Sequence, residues 1–112
     1  MQLEIQALNF KLTEALHNYV KRKLGFTLSS RDEYIQRIIV HLTDINGPQG
    51  GKDKCCHIQI VLPQLSDVII EDTEKDLYTA IDRAAERSGR TLGRHLERHR
   101  TLSRFPHQVK IK

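Results

Sequence analysis

The chain has no tryptophan, and its aromatic residues amount to 5% of 112 positions. With so few flat rings, stacking on single-stranded bases is not expected to be its main way of meeting a nucleic acid. Cysteine is scarcer still. Cys55 and Cys56 are neighbours, and on a strand adjacent side chains point to opposite faces, so no ordinary disulfide joins them. That usage suits a reducing cytoplasm. No run of about 18 apolar residues is present, so no helical membrane span is coded. The opening MQLEIQALNF lacks the basic stretch and apolar core of a signal peptide.

Signatures of catalysis are missing as well. Ser29, Ser30, Ser66, Ser88 and Ser103 sit in no nucleophile-elbow context, the cysteines have no local activating motif, and GPQGGK lacks the spacing of a phosphate-binding loop. His95 and His99 are four apart, a spacing that can clamp a metal, but a third ligand is lacking nearby. His41, His57 and Cys55 can meet on one face of a hairpin only if a strand register is assumed. The chain is therefore read as a non-enzyme, with no metal, cofactor or small-molecule substrate.

What is present is one domain's worth of ordinary globular sequence, with 38% hydrophobic and 29% charged residues. The formal charge is +4. From Arg83 to Lys112 there are nine Lys or Arg against two Glu, so the positive charge is concentrated there and the remainder is net negative. An acidic partner follows from that asymmetry.

Taken in order, residues 2–8 alternate with Leu3, Ile5 and Ala7 on one face, the period of a half-buried strand. Thr13 is placed to cap a helix that carries Leu16, Tyr19, Val20 and Leu24, with Gly25 where a stop belongs. Lys21, Arg22 and Lys23 then fall in its last turn, where cations complement the helix dipole. A second strand from Tyr34 points Ile38, Val40 and Leu42 inward. A long glycine-rich tip over 44–53 leads to a third strand with Cys56, Ile58, Ile60 and Leu62 inside. DVIIED forms a fourth, and Thr73 with Asp76 resembles a capping box for the long helix that follows. The order β-α-β-β-β-α predicts an α+β two-layer sandwich, a four-stranded sheet with both helices on one face, over residues 1–100. Residues 101–112 contain Pro106 and read as a basic tail.

The long helix, EKDLYTAIDRAAERSGRTLGRHLERHR, carries the functional signal. Leu77, Ile81, Ala84, Ala85, Ser88, Leu92, Leu96 and His99 gather on one side, and Arg83, Arg87, Arg90, Arg94 and Arg98 on the other. The arginines rise about one turn, roughly 5.4 Å, apart, close to the spacing of successive phosphates, and guanidinium forks match phosphate geometry. Solvated helix faces are commonly charged, but they mix signs to gain i,i+4 pairs. Here Asp82, Glu86 and Glu97 lie on one flank, which leaves five like charges to repel each other unless an anion sits there. Ala85, Gly89 and Gly93 form a small-residue ladder along the same helix. Two interior glycines each cost up to about 1 kcal/mol relative to alanine, so they predict a close approach by the first helix.

The block DLYTAID entering this basic helix, with LTEALHNYVKRKL near the start, resembles the ribosome hibernation promoting factor family, also called ribosome-associated inhibitors or sigma-54 modulation proteins. The likeness runs from residue 1 to about 100. It implies a fold similar to double-stranded-RNA-binding domains, seated in the decoding channel of the small ribosomal subunit. There it would cover messenger and transfer RNA sites and silence translation under stress and in stationary phase. The implied partners are the small subunit and its 16S-type rRNA; Lys23, Arg87, Arg90, Arg94 and Arg98 fall where family members carry Lys or Arg, and the charge pattern of the two helices adds Lys21, Arg22 and Arg83 to the RNA-binding set. The chain resembles the short class, without the C-terminal domain by which long members join two ribosomes. The alternative is a protein-binding regulatory module that touches an acidic transcription-factor surface.

Overall fold

The structure, a computed structural model, describes residues 2–44 and 53–104, with the side chains of 99–104 outside the description. Most of the 44–53 loop and the tail from residue 105 therefore lie outside the described residues. Strand β1 (Gln2–Leu8) leads to helix α1 (Glu14–Leu28), a 3-10 segment (Ser29–Tyr34), strands β2 (Arg37–Asp44), β3 (Lys54–Val61) and β4 (Val68–Glu74), and helix α2 (Leu77–Arg104). Spatial order follows chain order, β1-β2-β3-β4. The fold is α+β, a four-stranded mixed sheet with two helices.

β1 and β2 run parallel, with Leu3 opposite Ile38 and Ile5 opposite Val40. Parallel neighbours need a crossover, and α1 supplies it. Asn9 starts that crossover at φ 75°, a left-handed conformation that asparagine tolerates better than most residues. β2-β3 and β3-β4 are antiparallel. Ile38, Val40, Leu42, Cys56, Ile58 and Ile60 are fully buried, as the alternation predicts. They meet Leu16, Val20, Leu24 and Leu28 of α1 and Ala80, Ile81, Ala84, Ala85 and Leu92 of α2 in one core. Each large side chain so buried contributes about 1.5–3 kcal/mol.

Four sequence expectations are corrected here. Gly25 does not end α1, because the buried stripe runs on to Leu28. Lys21, Arg22 and Lys23 are thereby mid-helix, and the last turn holds no basic residue. Thr73 belongs to β4, and α2 is capped by Asp76 alone, whose Oδ2 accepts from Thr79 N at 3.0 Å. At the far end α2 continues through Arg104, four residues past the expected start of the tail.

The Thr13 cap is as expected, its hydroxyl accepting from Leu16 N at 3.2 Å. Tyr19 ties the two helices together. Its hydroxyl donates to Asp82 at 2.5 Å, and its ring meets Tyr78 edge-on with centroids 4.7 Å apart.

Candidate nucleic-acid interface

α2 presents Arg83, Arg87, Arg90, Arg94 and Arg98 away from the core, but they divide into two groups. Arg83 Nε lies 3.5 Å from Glu74 Oε2, and Arg87 Nη1 lies 3.1 Å from Asp72 Oδ2 while also donating to the Glu71 carbonyl at 2.9 Å. The expectation of five unanswered cations is corrected by these pairs. β4 ends beside the first turns of α2, so its half-buried carboxylates neutralise the two arginines nearest the sheet. Arg90, Arg94 and Arg98 lie farther along the rod, are exposed, and form no ion pair with any described residue.

The α1 cations divide too. Lys23 reaches toward α2, 3.8 Å from Asp82 Oδ1 and 3.9 Å from Glu86 Oε2. Arg22 is exposed and holds its guanidinium 5.9 Å from the centre of the Tyr19 ring. Lys21, two residues from Lys23 and so about 160° away around the helix, is turned from α2 and does not join the others.

Between α1, the 3-10 segment and α2 runs an open groove of about 770 Å³. Gly89 and Gly93 form its floor, and Lys23, Arg31, Arg90 and Arg94 stand along it with Glu86 and Glu97. The glycine ladder has the purpose expected of it at Gly89, where a Cβ would stand 2.8 Å from Thr27 Cγ2 of α1. At Gly93 the close neighbour is not α1 but the Arg31 guanidinium, with Nη2 at 2.9 Å. Arg31 and the groove-lining Phe26 are missing from the sequence-derived set. The available signal is the second glycine, which marks a close approach without naming the approaching residue.

The arrangement offers cations and backbone-close contact. Burial pushes the Cys56 thiol up to about 12, which keeps it protonated and unreactive, and burial also raises Cys55. His41 and His57 do oppose each other across the β2-β3 pair, stacked with centroids 6.2 Å apart. Among the described residues no group of three or more His, Cys, Asp or Glu is gathered to hold a metal. No helix among them is long and apolar enough to cross a membrane.

Comparison with known proteins adds a family to this geometry. The family described as sigma 54 modulation protein / S30EA ribosomal protein matches residues 3–100. The N-terminal domain of Protein Y from Thermus thermophilus is 28% identical and superposes with a TM-score of 0.67, over 84% of this chain and 98% of that one. A ribosomal subunit interface protein from Coxiella burnetii shares the fold at a TM-score of 0.74 and 20% identity, over 87% of this chain and 99% of that one. No curated protein sequence matches the chain at a significant level.

Proposed function

This chain belongs to the sigma 54 modulation protein / S30EA ribosomal protein family, and we propose that it binds the small ribosomal subunit and holds it out of translation. The reading is one of occupancy. The cationic side of α2 and the groove beside it lie on the phosphates of 16S-type rRNA, and the body of the domain covers messenger and transfer RNA sites in starved or stationary-phase cells. The observation that carries it is the row Arg90, Arg94 and Arg98, three exposed guanidiniums about one turn apart without an ion pair among the described residues. A row of like charges destabilises an isolated helix by repulsion, and an array of phosphates removes that cost while gaining charge-assisted hydrogen bonds.

Co-sedimentation tests the reading. The purified chain should pellet with small subunits at low salt and be released as salt rises. In a pull-down from lysate its partners should disappear on nuclease treatment. Partners retained after complete RNA digestion would instead favour the protein-binding regulatory module.

A further inference from the structure

Phe26 is 83% exposed, against 58% or less for the other exposed large hydrophobic side chains among the described residues. Its position is not an accident of a frayed end, since α1 runs two residues beyond it. The buried stripe of α1 is Leu16, Val20, Leu24 and Leu28, and Phe26 lies off it, on the rim of the groove that holds Lys23, Arg31, Arg90 and Arg94. A phenylalanine left in water forgoes the largest stabilisation its side chain can offer.

We propose that Phe26 is a stacking platform for one unpaired base of the RNA strand whose phosphates the groove arginines hold. The proposal rests on the ribosome-binding reading and adds to it a residue and a mode of contact. Charge complementarity chooses the occupant. A flat apolar ring beside closely spaced guanidiniums matches a nucleotide, which presents a π-face and an anionic phosphate within one unit. Glu86 is answered by Lys23 at 3.9 Å, and Arg31, Arg90 and Arg94 line the same groove as the ring. The Arg31 guanidinium lies across Gly93, over the groove floor and on the same side as the ring's cationic neighbours. The low aromatic content argues against stacking as the main mode of binding; one ring set among four cations supplements phosphate contact and does not replace it.

The test uses the full chain and purified small ribosomal subunits, with Phe26→Leu and Phe26→Trp beside the wild type. Leucine keeps the apolar volume and removes the π-face. Tryptophan enlarges the π-face and, in a chain without tryptophan, becomes the sole indole reporter. The expected result is a Kd weakened roughly 5- to 150-fold by Phe26→Leu, the range produced by removing one base stack. The salt slope should stay unchanged, and Phe26→Trp should bind at least as tightly, with its fluorescence quenched. Phe26→Leu within twofold of wild type overturns the proposal. So does failure of Phe26→Trp to bind, which marks a fitted protein pocket instead of a base. If the wild type itself does not bind subunits, the ribosome-binding reading fails and stacking falls with it.

Discussion

The guanidinium of Arg31 lies across Gly93 so closely that a Cβ on the glycine would stand 2.9 Å from Nη2, whereas at Gly89 the obstacle is Thr27 Cγ2 at 2.8 Å. The two glycines look alike in sequence but face neighbours of different stiffness. Gly93→Ala gains up to about 1 kcal/mol of helix propensity and displaces only the end of a long side chain, so Tm should hold or rise. Gly89→Ala presses a short branched side chain on the packed helix, and overpacking of about 1–3 kcal/mol outweighs the same gain. Thermal denaturation should therefore show a lowered Tm for Gly89→Ala and an unchanged or raised one for Gly93→Ala; equal destabilisation at both sites would contradict the packing described.

Arg87 is fastened to β4 and should act mainly on stability. Arg87→Ala removes a partly exposed pair with Asp72 and a hydrogen bond to the Glu71 carbonyl. A cost of about 1 kcal/mol in urea denaturation is expected. Asp72→Asn should reproduce much of that effect without touching α2. Full stability in both variants would show that the tether contributes nothing.

The contact between Tyr19 and Asp82 makes stability depend on alkaline pH. The hydrogen bond to Asp82 raises the Tyr19 phenol from 10.0 to about 12, with burial and the nearby negative charge adding to it. Because the folded value lies above the unfolded one, the contribution is complete below pH 10 and fades as pH climbs toward 12. Tyr19→Phe should cost about 1 kcal/mol near neutrality, the scale of one hydrogen bond to a charged group in a partly solvated site. The variant should also lose less stability than wild type between pH 9 and pH 11. Parallel curves for the two proteins would separate the phenol from the effect.

Cys56 is sealed in the core and protonated up to about pH 12. Thiol reagents at pH 8 should label it only at the rate of unfolding, and denaturant should release both cysteines of the chain. Fast labelling of Cys56 in the native protein would mean that the β2-β3 centre opens far more readily than its burial implies.

Much of the fold is legible in the sequence because strands and helices announce themselves by period. Leu3 and Ile5, Ile38 to Leu42, and Cys56 to Leu62 alternate without a break, and each set is packed against the helices. Sequence and structure part where one residue's local preference is set against its surroundings. Gly25 suggests a stop, but Leu28 continues the step of four, and burying Leu28 outweighs the cost of one glycine in a helix. Thr73 looks like half of a capping box, yet its pairing opposite Cys55 keeps it on the sheet. The arginine row is visible from spacing, but its division is not, because it depends on how far β4 reaches beside α2. The carboxylates of Asp72 and Glu74 answer Arg87 and Arg83 across an angle that periodicity does not encode. Arg31 escapes a sequence reading because the turn that follows an overrunning helix decides where its side chain emerges, and Phe26 escapes it because it lies just beyond the glycine that suggests a stop.

The division of the arginines is also the most exposed part of the account. Binding of small subunits should be measured across a salt series for wild type, for Arg90→Gln/Arg94→Gln/Arg98→Gln, and for Arg83→Gln/Arg87→Gln. The log–log salt slope changes by about 0.7–0.9 for each phosphate that is no longer neutralised. By that measure the triple variant should forfeit roughly two to three units of slope and most of its affinity, while the double variant stays near wild type. Equal weakening of the two variants, or a triple variant with an unchanged slope, would contradict the claim that Arg90, Arg94 and Arg98, which have no ion pair among the described residues, are what grip the ribosome.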